Sequence, residues 1–166
     1  MEIKVAKTAG FCFGVNRAVE LTYGLLAEGR RVATLGPLIH NPQAVDDMQA
    51  KGAFVADSVP QVPDGYEVVI RSHGVPRSVY DELEARGIAY HDATCPFVQK
   101  IQRIAAQAEK EGAVLLVAGD KTHPEVQGIV GHTRGEVFVF ANLDELGGLE
   151  SRRPSGLRKT IDRFNS

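Results

Sequence analysis

Cysteine is scarce in this chain: 166 residues carry two, Cys12 and Cys95, which lie 83 positions apart with no Cys-x-x-Cys pair. That spacing excludes a zinc finger or zinc ribbon. An excess of either sign of charge is lacking as well. The formal net charge is −2, so composition offers no argument for a nucleic-acid partner. No run approaches the roughly 20 apolar residues that a membrane span needs. The opening MEIKVAKTAG is strand-like and carries lysines, unlike a basic segment followed by an apolar run. We therefore expect no secretory signal, no membrane partner and a soluble cytoplasmic protein, a setting in which two cysteines rarely form a structural disulfide. No Gly-x-Gly-x-x-Gly follows the first expected strand and no Walker motif occurs. A flavodoxin-like or nucleotide-binding α/β domain thus lacks its fingerprint.

What is present is a recurring unit: a short apolar strand, then Cys or His, then Gly or Pro opening a helix. Val5–Lys7 leads to Gly10-Phe11-Cys12-Phe13-Gly14, and Val32–Leu35 leads to His40-Asn41-Pro42. Val68–Arg71 leads to Ser72-His73-Gly74-Val75-Pro76, and Ile88–Tyr90 leads to Ala93-Thr94-Cys95-Pro96. Val114–Ala118 leads to Thr122-His123-Pro124-Glu125. Proline suits the first helical position, where its missing N–H leaves nothing unsatisfied. The residue just before it faces backbone N–H groups that carry partial positive charge. Thiolates and anions are stabilised there, so two cysteines and three histidines at such places point to one polar site.

Strand–helix alternation implies an α/β fold with parallel sheets covered by helices on both faces. A hydrophobic content of 43% supports a real core. We expect a first α/β unit over residues 1–93 and an incomplete second unit over 94–150. The second unit reads as helix 96–111, strand 114–118, helix 124–131 and strand 137–140. Residues 59–65, Val-Pro-Gln-Val-Pro-Asp-Gly, read as a turn-rich loop. Residues 151–166, SRRPSGLRKTIDRFNS, form an atypical basic tail with five Lys/Arg and one Asp. This tail is either a basic extension or the mark of a truncated or frame-disturbed form of something longer. We favour the second, because the preceding fold looks unfinished.

Ligands of parallel α/β sheets bind outside the carboxyl ends of the strands, where all five segments leave. Thiolates hold soft metals and iron–sulfur clusters. Protonated imidazoles near helix starts suit an anion, and a carboxylate beside them, Glu125, can move protons. Together they describe reductive chemistry on a phosphorylated substrate.

The segments Gly10-Phe11-Cys12-Phe13-Gly14-Val15, Gly36-Pro37-Leu38-Ile39-His40-Asn41, Arg71-Ser72-His73-Gly74-Val75, Asp92-Ala93-Thr94-Cys95-Pro96 and His123-Pro124-Glu125-Val126 resemble, in order and in register, the 4-hydroxy-3-methylbut-2-enyl diphosphate reductase family, also called LytB or IspH. The resemblance spans roughly residues 1–140. It implies a reductase that makes isopentenyl and dimethylallyl diphosphate in the non-mevalonate isoprenoid pathway. It also implies a [4Fe-4S] cluster held by three cysteines and electrons from ferredoxin or flavodoxin. On it, Cys12 and Cys95 match two cluster ligands and His40, His73 and His123 match the histidines around the substrate diphosphate. Glu125 matches the acid that relays protons to the leaving hydroxyl. The fold it implies has three α/β units about a pseudo-threefold axis, with the cluster at the centre.

The chain departs from that pattern. It has no third Cys. A basic tail stands where a Thr-rich segment is expected, and the third unit with its Ser and Asn contacts is missing. We expect a loosely held cluster and impaired activity. The alternative is a non-catalytic α/β module that holds a phosphorylated ligand or a metal. Other polar residues have ordinary roles in this reading: Asn41 caps a helix, and His91 and His132 are structural or surface histidines.

Overall fold

The computed structural model describes residues 3–4 and 9–147. The strand expected at Val5–Lys7 and the basic tail 151–166 lie outside the described residues. In chain order the elements are α1 (Phe13–Ala27), β1 (Val32–Leu35), α2 (Pro42–Ala50), β2 (Phe54–Ala56), a 3-10 turn (Val59–Gln61), β3 (Glu67–Ile70), α3 (Arg77–Ala85), β4 (Tyr90–Asp92), α4 (Pro96–Lys110), β5 (Leu115–Ala118), α5 (Pro124–Val130), β6 (Val137–Phe140) and α6 (Leu143–Gly147). The fold is α/β, and among the described residues every strand pair is parallel.

By packing, the chain divides into two compact units. The first holds the described residues up to Ser72 together with Ala85–Cys95; the second holds His73–Glu84 together with the described residues from Pro96 onward. This division differs from a boundary at 93/94 in grouping residues 73–84 with the second unit.

The first unit is built on a four-stranded sheet in the order β2-β1-β3-β4. Its central strands are near-continuous apolar runs, as parallel strands buried on both faces require. Val32, Ala33, Val68, Val69 and Ile70 are each fully buried. Helix α1 covers the sheet with Gly14, Ala18, Thr22 and Leu25, a stripe at helical spacing. The Thr22 hydroxyl, buried within that stripe, donates to the Ala18 carbonyl at 2.9 Å. Asn41 caps α2, its side chain accepting from the Ala44 N–H at 3.0 Å, with Pro42 at the first helical position.

Two features depart from the sequence reading. Phe54–Ala56 forms an edge strand that pairs with β1, a span too short for a period-2 signal. The strand expected at Ile88–Tyr90 pairs instead as Tyr90–Asp92, because β3 sets its register through Val68↔Tyr90 and Ile70↔Asp92. Helix ends agree within a residue, the usual scatter of frayed termini.

The second unit holds the two-stranded sheet β5-β6. Val98, Gln102 and Ala105 form the buried side of α4, while Phe97, Ile101 and Ile104 are exposed. Gly131 accepts from the Arg77 N–H at 3.0 Å and so ties the end of α5 to the start of α3.

Candidate functional site

The carboxyl edge of the four-stranded sheet gathers the sulfur donors. Cys12 is the N-cap of α1; its carbonyl accepts the first helical bond from Asn16 N–H at 2.9 Å. Its side chain makes no capping bond and is exposed. Cys95 is half-buried and sits past the end of β4, with its N–H donating to the Ser72 carbonyl at 2.9 Å. The turn before it is doubly held. Thr94 N–H donates to the Asp92 carboxylate at 2.9 Å. Arg17 reaches from α1 to donate to the carbonyls of Thr94 at 3.0 Å and Asp92 at 3.2 Å.

Gly14 is the point of closest approach. A Cβ there would stand 2.7 Å from Cys95 Cβ and 2.8 Å from Cys95 Sγ. The first turn of the Cys12 helix therefore lies directly on Cys95, and only glycine permits it. His40 belongs to the same unit, exposed in the loop from β1 to α2.

The second unit gathers the other candidates. The rings of His73 and His123 meet edge to face, with centroids 5.7 Å apart. His123 caps α5, its Nδ1 accepting from the Glu125 N–H at 3.2 Å. That bond places the proton of a neutral His123 on Nε2. Glu125 is half-buried in the first turn of α5, where a carboxylate is favoured by the helix dipole. The loop before it is shaped by Asp120, whose carboxylate accepts from both the N–H and the hydroxyl of Thr122 at 2.7 Å. These two bonds hold the Asp120 carboxyl below its ordinary range.

The structure thus brings Cys12, His40 and Cys95 into one unit and His73, His123 and Glu125 into the other. The histidines read as ordinary are structural: His91 Nε2 lies 2.7 Å from Glu67 Oε2, and His132 Nδ1 lies 2.7 Å from the Gly128 carbonyl. Sequence reasoning gave no role to Arg17, which holds the Cys95 turn. Arg17 lies one turn beyond Gly14 on the packed side of α1, the one signal that could have singled it out. Among the described residues, no group of three or more His, Cys, Asp or Glu side chains is placed to hold a metal ion. The two thiols still fit an iron–sulfur group in part. Both are free, and Cys12 Sγ is exposed and not used as a cap. They supply two soft donors, and the chain has no third cysteine.

Comparison with known proteins is consistent across three kinds of match. A 4-hydroxy-3-methylbut-2-enyl diphosphate reductase of Caldanaerobacter subterraneus subsp. tengcongensis is 40% identical over 153 residues, covering 90% of this chain and 53% of that protein. One from Citrifermentans bemidjiense is 43% identical over 142 residues, covering 86% and 50%. The chain spans about half the length of the curated relatives it matches. A solved structure of (E)-4-hydroxy-3-methyl-but-2-enyl diphosphate reductase, the terminal enzyme of the non-mevalonate pathway, superposes with a TM-score of 0.76 at 40% identity, over 88% of this chain and 53% of that one. The Plasmodium falciparum reductase shares the fold at a TM-score of 0.78 and 24% identity, over 85% of this chain and 45% of its own. The LytB protein family itself matches residues 3–161, a span that takes in both units and every candidate residue, and the chain belongs to that family.

Proposed function

We infer that this chain carries the chemistry of its longer relatives, the reduction of 4-hydroxy-3-methylbut-2-enyl diphosphate to isopentenyl and dimethylallyl diphosphate. Two electrons and two protons enter, the allylic C–O bond breaks, one proton leaves with the hydroxyl as water, and the other ends on carbon. The observation that carries this reading is the seating of the Cys12 helix on Cys95 through Gly14. That packing brings two helix-entrance thiols, far apart in sequence, to one edge of one sheet.

Cys12 and Cys95 are the residues that would hold a [4Fe-4S] cluster, and such a group, when bound, supplies the electrons, delivered by ferredoxin or flavodoxin. His40, His73 and His123 bind the diphosphate. For His123 the cap to Glu125 N–H puts the ring proton on Nε2, the atom that would donate to a phosphoryl oxygen in a charge-assisted bond. Glu125 holds the proton that the departing hydroxyl takes, which requires a carboxyl within hydrogen-bond reach of that oxygen.

Two thiolates hold a cluster less firmly than three, so these 166 residues by themselves turn over poorly. The test is anaerobic reconstitution with iron and sulfide, followed by substrate binding and product analysis with a chemical reductant. The expected result is iron uptake, binding of the diphosphate alcohol, and slow turnover abolished in Glu125→Gln. Robust turnover would contradict the impairment. A chain that binds the alcohol and takes up no iron would be a non-catalytic phosphate-binding module instead.

A further inference from the structure

Arg71 is the first residue past β3, and no charge among the described residues compensates its own. Its Nε is buried and has no hydrogen-bond partner among the described residues. No carboxylate among the described residues pairs with it, and burial alone pushes its guanidinium below the usual arginine range. Arg71 is half-buried, and a half-buried cation without a counter-charge bears part of the desolvation penalty. Such a group persists where something else needs it.

Its surroundings say what that is. The guanidinium lies along the end of β1: a Cβ on Gly36 would stand 3.2 Å from Arg71 Nη1. Gly36 has φ of +69°, which only glycine adopts freely, and its carbonyl already accepts from the Thr34 hydroxyl at 2.9 Å. The sheet order β2-β1-β3-β4 sends the chain from β1 to a neighbour on one side and from β3 to a neighbour on the other. Adjacent strands whose connections depart in opposite directions open a crevice at their carboxyl ends, the usual ligand position in open α/β sheets. Gly36 and Arg71 stand at that switch, and the loop leaving β1 there carries His40.

We propose that Arg71 is a phosphoryl-binding residue, its guanidinium receiving at the β1/β3 switch the anion that its charge lacks. The choice of a phosphoryl oxygen, rather than another oxyanion, rests on the diphosphate reading above. Arginine suits the role because its planar fork matches phosphoryl oxygens in two parallel bonds.

The test uses the full chain, inorganic pyrophosphate as probe, and the variants Arg71→Met, Arg71→Lys and His123→Ala, with the exposed Arg103→Gln as control. Calorimetry reads the affinity and a thermal melt reads the ligand-free midpoint. Arg71→Met weakens pyrophosphate roughly 10- to 100-fold and leaves the ligand-free midpoint equal or higher, because a half-buried charge without a counter-charge has been removed. Arg71→Lys falls between, and Arg103→Gln binds like the parent. A lowered or lost melting transition in Arg71→Met would make Arg71 structural and overturn the proposal, as would unchanged affinity. Loss in Arg71→Met with His123→Ala unaffected supports Arg71 and removes the diphosphate role of His123. Loss in His123→Ala alone does the reverse, and a parent chain that binds no pyrophosphate overturns both.

Discussion

Gly14→Ala is the sharpest perturbation of the sulfur edge. The added methyl would lie 2.7 Å from Cys95 Cβ and 2.8 Å from its Sγ, against a favourable carbon contact of about 3.5–4.0 Å. Either the first turn of α1 or the Cys95 turn must therefore give by roughly 1 Å. Neither yields readily, since Ser72 and Arg17 hold the Cys95 turn from two directions. Overpacking of this kind costs about 1–3 kcal/mol, and the better helix propensity of alanine returns at most about 1 kcal/mol. The net loss is about 1–2 kcal/mol, or a fall in melting midpoint of roughly 2–8 °C for a chain of this size. Urea unfolding measures it, with the slope unchanged if only the native packing is affected. A double-mutant cycle then locates the clash. Cys95→Gly removes both opposing atoms, so Gly14→Ala added to Cys95→Gly should carry almost no penalty, whereas Cys95→Ala keeps the Cβ contact and relieves only part. Gly14→Ala as stable as the parent, or more stable, would refute the seating of α1 on Cys95.

Removing the α2 cap with Asn41→Ala deletes the acceptor for Ala44 N–H and should destabilise by about 1 kcal/mol in urea unfolding, with Asn41→Asp close to the parent; no loss would mean the cap is idle. The Glu67 carboxyl is held below its ordinary 4.5, first by the hydrogen bond from His91 and then by Arg30. A depressed folded-state value means this group contributes stability above the unfolded carboxylate range and loses it as pH falls through the lower folded value. The stability difference between parent and Glu67→Gln should therefore shrink as pH drops below 4.5, read by thermal melts across the acid range. A difference that is flat or grows on acidification would contradict the pairing.

The elements most readable from the residues were those with chemical punctuation. Pro42, Pro96 and Pro124 each begin a helix where a proline at the first position predicts one, and the apolar runs of β1, β3 and β6 are strands. Phe54–Ala56 was hidden because three residues carry no alternation and the edge pairing comes from β1. Gly14 stands in the quoted Gly10–Gly14 motif, but its reason was not legible there: the helix needs room for Cys95. Arg17 and Arg71 were given no role because an arginine is by default a surface residue. Only the assembled sheet shows that one reaches carbonyls before Cys95 and that the other, at the end of β3, has a buried Nε with no hydrogen-bond partner among the described residues. His123 caps α5 through Nδ1, a contact that its place in the His-Pro-Glu motif did not disclose. Which candidates share a unit is likewise a product of tertiary packing, invisible in motif order.

The claim beneath all of this is that Cys12 and Cys95 act together as ligands at one sheet edge. Iron and sulfide per chain, measured after anaerobic reconstitution of the parent, Cys12→Ser and Cys95→Ser, test it most directly. The account predicts a brown parent whose iron is lost in either variant; iron content that is the same in all three chains would contradict it.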